Sequence, residues 1–343
     1  MNVLQRTSLL VGSALALGLL VTTASAREIR WGTSQVGTSG HRSMTTLAEM
    51  LKKEMPEWQV TVQPTPGAIF TVKGYATGEF DGLYGSDIAF YELANNINRF
   101  QGFKANMKRE PVQSFWAFTI ETGIGISSKD VGKFKGWREL TGKRVFTGPR
   151  PFDTRAHIER AFGALSVKHE YLEVALETAG SLLDGGRIAA MCIYSNALSG
   201  TAPWIQQASI ETDWSPLNPS PEEMRDLKAA GFQTLEVPAT IFGLKKSKVD
   251  KAVVLPFYYG FHVGLDAPEA EVYKFLKTVE AKAAEMVKTD PSYEQVRKDM
   301  AGMQRRGVES SVTFVPVHPG LARYMREKGV WDAKWDSRIA KAK

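Results

Sequence analysis

From Glu28 to Thr33 polar and apolar side chains alternate, the pattern of a strand with one buried face. Met44, Leu47, Ala48 and Leu51 then fall on one side of an amphipathic helix over Ser43–Met55, which Pro56 ends. Trp58 to Gln63 alternates again, Pro64 to Gly67 reads as a turn, and Thr71 to Thr77 reads as a helix closed by Gly78. Phe80 to Tyr84 reads as a third short strand. Strands and helices in this alternation predict a mainly parallel sheet flanked by helices.

Two apolar runs are too long for ordinary strands. Ser114 to Ile120, broken by Gly123 and resumed through Ile126, and Ala252 to Val263, with Gly260 inside it, read as crossings between two lobes. Between them a second series follows: strand Arg144–Thr147, loop Gly148–Asp153, helix Thr154–Leu165 and strand Ile188–Tyr194. An amphipathic helix over Pro268–Thr289 would rejoin the first lobe, and Ser215–Pro221, with its prolines, reads as a surface loop. The expected architecture is α/β, with lobe 1 formed by 27–119 and 260–343 and lobe 2 by 120–259.

The N-terminus changes the setting. Arg6, the apolar run Ser8–Val21 and the small residues Ala24-Ser25-Ala26 have the form of a secretory signal peptide cleaved after Ala26, which predicts a periplasmic protein. The run falls short of the roughly 20 residues that span a bilayer as a helix; an uncleaved anchor is the alternative. No Cys follows to accept a lipid. The single Cys192 excludes an intrachain disulfide, and its neighbours Ile188 to Ile193 read as a buried strand, so an inert core thiol is expected. The net charge of +6 is spread along the chain without a basic run, which argues against a nucleic-acid partner.

Candidate chemistry concentrates in two loops at strand-to-helix junctions. Gly32 to His41 holds Thr33, Ser34, Gln35, Thr38, Ser39 and His41 just before a helix, whose first N–H groups and dipole favour an anionic ligand group. The matching loop Gly148 to Arg155 adds Arg150, Thr154 and Arg155, two guanidiniums able to grip a carboxylate bidentately. Alternatively Ser39 and Asp153 or Thr154 are N-caps and the arginines are solvated. No phosphate-binding glycine pattern is present. His41, His157, His169, His262 and His318 show no metal-ligand spacing, so neither a metal nor a cofactor is expected; His157 and His169 read as exposed. No G-x-S-x-G elbow supports a hydrolase.

These segments resemble the substrate-binding receptors of TRAP transporters of the TAXI type along nearly the whole chain. The family's G-T-G-x-x-G-G-T loop resembles Gly32 to Ser39, and its V-T-V-Q-x-T-x-G-S turn resembles Val60 to Ala68. Its G-E-x-D...S-D stretch is similar to Gly78 to Asp81 with Ser86-Asp87, and its G-K-R-V-x-x-G-P...T-R segment to Gly142 to Pro149 with Thr154-Arg155. Its C-terminal H-P-G-A-x-x-Y-x-x-E-x-G is similar to His318 to Gly329. The chain departs from the family at Gly40-His41, where a Tyr pair is usual, at Thr71 in place of Asn, at Gly85 in place of Gln, and at Ser199 in place of Gly.

The resemblance implies a two-lobed periplasmic-binding-protein-like fold of type II, with the ligand in a cleft between lobes joined by two crossing strands. It also implies no catalysis, and delivery of a small organic acid or amino acid to integral-membrane TRAP permease subunits. Ligand-binding residues would then include Gly67, Ala68, Thr71, Ser86, Asp87, Ser195 and Ser199 beside those of the two loops. Three alternatives stay open: a receptor for an ATP-driven importer, a periplasmic enzyme on the same fold, and a sensor that presents ligand to another protein.

Overall fold

A computed structural model describes residues 26–341, so the expected signal segment up to residue 25 lies outside the described residues. Strand β1 (Arg27–Thr33) pairs in parallel with β2 (Trp58–Pro64) on one side and β3 (Gly82–Ser86) on the other, with helices α1 (Ser39–Glu54) and α2 (Ala68–Thr77) in the connections and α3 (Asp87–Asn95) after β3. α1 starts at Ser39, earlier than periodicity suggests, because the Thr38 side chain caps it by accepting from the backbone N–H of His41. α2 starts at Ala68 and ends at Gly78, whose left-handed φ of 89° closes it as expected.

β4 (Trp116–Ser127) passes through Gly123 without a break, and all twelve of its residues are buried. The second series follows: β5 (Arg144–Phe146), α4 (Asp153–Ala164), β6 (Glu170–Tyr171), α5 (Ala179–Asp184), β7 (Ala190–Asn196), β8 (Gly200–Thr201), α6 (Pro203–Glu211), β9 (Trp214–Leu217), α7 (Pro221–Ala229) and β10 (Leu235–Pro238). β11 (Lys251–Val263) returns, and α8 (Glu269–Thr289), α9 (Glu294–Ser311) and α10 (Pro319–Glu327) complete the chain.

The two long strands are crossings in the literal sense. β11 lies antiparallel between β3 and β4, and β4 pairs onward with β7, so one sheet runs β2-β1-β3-β11-β4-β7-β5-β6. Both parallel groups, β2-β1-β3 and β7-β5-β6, hang on this central antiparallel pair. The register of β11 against β4 shifts between Tyr259 and Gly260, where the strand passes from one group to the other. α8 buries Val272, Phe275, Leu276, Val279, Ala283 and Met286 along one stripe, with Phe275 stacked on Trp58 at 5.3 Å. This is the helix expected over 268–289, and its packing against α1 ties the C-terminal segment to the first group of strands.

Two sequence expectations fail here. Ser215–Pro221 is not simply a surface loop: Trp214 to Leu217 form the buried strand β9 against β4. Proline can sit in a strand at an edge. His157 and His169 are not exposed: Thr154, His157, Ile158, Ala161 and Phe162 make the buried stripe of α4, and the His169 side chain is 7 % exposed beside Glu159. The His157 ring lies against Phe232 and Phe257, and burial holds its pKa well below the usual value, so it packs as a neutral aromatic.

Candidate ligand cleft

The carboxyl ends of β1 and β3 face those of β5 and β7 across the crossing strands, and the loops that follow them meet. Hydrogen bonds join the two walls directly. Ser39 Oγ donates to Asn196 Oδ1 at 2.6 Å, and Ser86 Oγ donates to Asp153 Oδ2 at 2.6 Å. From the crossing strand β11, Tyr259 also donates to Asp153 Oδ2 at 2.6 Å, and Arg99 Nη1 donates to Asp153 Oδ1 at 2.5 Å. Gly67 lies against Pro151 of the opposite wall. The cleft is therefore closed.

What remains inside is a polar cavity of about 20 Å³, room for about one water molecule. Ser34, Thr38, Ser39, Gly40 and Ala68 line it from one wall, and Phe152, Asp153, Thr154 and Tyr194 from the other. Tyr84 and Tyr259, stacked at 4.3 Å, and Ile120 complete it. A Cβ on Gly40 would fall 2.4 Å from the Tyr84 ring. Gly40, one of the departures from the resembled family, thus admits an aromatic ring carried by β3. Burial raises the Tyr84 and Tyr259 hydroxyls well above their usual pKa, so both stay protonated donors.

The electrostatics centre on Asp153, which has no solvent exposure and begins α4 where the helix dipole favours negative charge. The Arg99 guanidinium loses hydration by burial, yet Asp153 and Glu92 outweigh that loss and hold its pKa above the usual value. Three groups near the cavity retain hydrogen-bonding capacity: Thr154 Oγ1, Thr33 Oγ1 and Asn196 Nδ2 have no partner among the described residues.

The sequence-expected residues divide. Ser34, Thr38, Ser39, Ala68 and Thr154 line the cavity, and Gly67 and Ser86 make contacts across the walls. Gln35 contributes its carbonyl to Thr38, and the Thr33 carbonyl accepts from Thr65. His41 sits partly buried in the first turn of α1, outside the lining, where burial lowers its pKa. Thr71 is a fastener: its hydroxyl donates to the Tyr84 carbonyl and accepts the Tyr84 N–H, pinning α2 to β3. Ser195 donates to the buried Glu121, whose carboxyl burial pushes up to about 7, and Ser199 donates to the Pro291 carbonyl. Ser86 caps α3 by accepting from the Ala89 N–H, and Asp87, the first residue of that helix, accepts from the Ile88 N–H while desolvation pushes it up to about 7.

Arg150 and Arg155 do not line the cavity. Arg150 pairs with Glu173, and Arg155 pairs with Glu159 and stacks on Tyr171 at 4.1 Å. Sequence reasoning missed Arg99, Tyr84, Tyr194 and Tyr259. Tyr194 stands at the end of an expected strand, where the strand-end rule could have found it; nothing local marks Arg99. Among the described residues no group of three His, Cys, Asp or Glu is placed to hold a metal ion. Cys192 is buried and burial raises its thiol pKa further, so native-state labelling by a small thiol reagent should be far slower than labelling in denaturant. Equal rates would mean that β7 is accessible.

A family model described as the NMT1-like family matches residues 32–329. Among solved structures, MatC from Rhodopseudomonas palustris with bound malate is similar at 13% identity and a TM-score of 0.50, covering 84% of this chain and 97% of its own. The alkanesulfonate-binding protein SsuA from Xanthomonas axonopodis pv. citri bound to MOPS aligns at 14% identity and a TM-score of 0.46, over 87% of this chain and 83% of its own. A putative L-cystine ABC transporter protein from Listeria monocytogenes aligns at 9% identity and a TM-score of 0.45, over 78% and 95%. A comparison with curated proteins finds no match. The fold is that of the type II periplasmic binding proteins, as the crossing-strand topology requires.

Proposed function

This chain belongs to the NMT1-like family, and from its cleft we propose that it is an extracytoplasmic solute-binding receptor, not an enzyme, that captures a small polar solute between two lobes. The observation that carries this reading is the closed cleft itself: two strand-end loops joined across a polar cavity by Ser39–Asn196 and Ser86–Asp153. The lobes are 27–119 with 260–343, and 120–259, and β4 and β11 are the hinge. A periplasmic location follows from the expected signal segment.

A carboxylate-bearing solute suits the first wall, where the helix α1 begins and Thr33 Oγ1 lacks a partner among the described residues. The second wall does not offer the same, because Asp153 already supplies negative charge at the start of α4. The solute's other end therefore carries hydroxyl or amino groups, or other neutral polar groups that Thr154 and Asn196 can bond. MatC, of the same fold, holds malate. The resemblance to TAXI-type receptors supports a TRAP permease as the membrane partner. An ATP-driven importer suits the same fold; a neighbouring gene for a large permease without an ATPase would favour the former.

Ligand binding should make the protein more compact and raise its melting temperature. A solute held by both lobes binds the closed state better and shifts the population towards it. Stabilisation reaches roughly 2.7 kcal/mol at a hundredfold excess over Kd. Mass spectrometry of co-purifying small molecules identifies the solute, and solution scattering then compares the radius of gyration with and without it. An unchanged radius at saturation, or a solute recovered chemically altered, would overturn the receptor reading.

A further inference from the structure

The turn that joins β7 to β8 runs against its residue types. The Ser199 N–H closes it by donating to the Asn196 carbonyl at 3.0 Å, and both central residues, Ala197 and Leu198, have left-handed φ, 53° and 54°. That geometry favours Asn-Gly, and a bulky residue adopts it only where its surroundings hold it. The Leu198 side chain is exposed, so packing alone does not hold it. The hold comes from the crossing strand β4. The Ala197 N–H donates to the Thr119 carbonyl at 2.9 Å, and the Leu198 N–H donates to Glu121 Oε2 at 3.3 Å. Ser195 Oγ donates to the same oxygen at 2.6 Å, and the Thr119 hydroxyl donates to Oε1. Glu121 has no solvent exposure and no ion pair among the described residues. A buried carboxylate without a counter-ion costs more than a neutral side chain in its place, so its acceptors are its use. The turn in turn reaches the opposite wall: Asn196 accepts from Ser39, and Ser199 Oγ donates to the Pro291 carbonyl at 2.7 Å.

We propose that Glu121 is a positioning residue for solute capture: it holds the turn after β7 in its left-handed form, and the turn sets where Asn196 stands in the second wall. Asn196 is the group through which it acts, since its buried Nδ2 has no partner among the described residues while its Oδ1 is engaged by Ser39. This role rests on the cleft being the place of capture, whereas amide exchange reads the turn itself, so the two readings fail separately.

The test is amide hydrogen exchange on the full mature chain, at a pH above the value of about 7 to which burial pushes the Glu121 carboxyl. Glu121→Met keeps the length and removes both acceptors, so exchange in 197–199 and, across the cleft, in 39–42 should quicken at least about tenfold. Glu121→Gln keeps one carbonyl for Ser195 and Leu198 and should stay within about threefold of the unaltered protein in both segments. Adding Leu198→Gly to Glu121→Met should restore most of the protection in 39–42, because glycine takes a left-handed φ at no steric cost. Should Glu121→Met fold poorly, Leu198→Gly and Leu198→Val are compared by melting: the glycine variant should melt no lower than the unaltered protein, and the valine variant lower. Unchanged exchange in 39–42 with Glu121→Met, equal quickening with methionine and glutamine, no rescue by glycine, or the reverse melting order overturns the role.

Discussion

Replacing Gly67 with valine should weaken solute capture roughly a hundredfold while leaving the protein folded. Gly67 has an extended backbone, φ 172°, which any residue adopts, so the substitution places no strain on its own lobe. The obstruction lies across the cleft: a Cβ at this position would fall 2.7 Å from the Pro151 side chain and 3.0 Å from the Pro151 carbonyl oxygen. Backbone on the far side cannot rotate away as a flexible side chain would. The closed state must therefore part by the width of the added group, and the contacts Ser39–Asn196 and Ser86–Asp153 must part with it. A penalty of about 3 kcal/mol on closure alone lowers affinity roughly a hundredfold. Calorimetry with the identified solute measures that loss, and solution scattering should find the variant expanded with or without solute. Affinity within threefold of the unaltered protein would mean that closure does not bring Gly67 and Pro151 together.

Asp153→Asn should cost about 3 kcal/mol of stability, through the loss of a buried ion pair rather than through packing. The carboxylate has no solvent exposure, and both oxygens are used: Oδ1 by Arg99, Oδ2 by Ser86 and Tyr259. An amide of the same shape keeps one acceptor, but its NH₂ must face either the Arg99 guanidinium or the two hydroxyls. Arg99 then retains only Glu92 as a charged partner. Tyr259→Phe removes one neutral donor and should cost less, about 1 kcal/mol. Urea unfolding of the two variants ranks these effects. A variant of Asp153 as stable as the unaltered protein would show that the pair contributes no more than it costs to desolvate, and the order Asp153 above Tyr259 would fail.

Much of the architecture was legible because it depends on local pattern. Strands β1, β2 and β7, the helix α8 and the two long crossings follow from periodicity and run length, quantities that neighbouring residues set. The first loop, Ser34 to Ser39, was legible because a hydroxyl-rich turn between a strand and a helix has few other structural uses. β9 was missed because prolines suggest a loop wherever the partner strand is unknown, and the depth of His157 was missed because one imidazole on a helix stripe weighs little against its polarity.

By itself, the sequence determined the alternation of strands and helices, the two crossings and the position of the first cleft loop. Only the tertiary structure decided which charges face the cleft. Arg150 and Arg155 lie in the expected loop but pair with Glu173 and Glu159, while Arg99, far away in sequence, reaches Asp153. The physical reason is range: backbone conformation answers to near neighbours, whereas a buried charge answers to whichever opposite charge folding brings within hydrogen-bond distance.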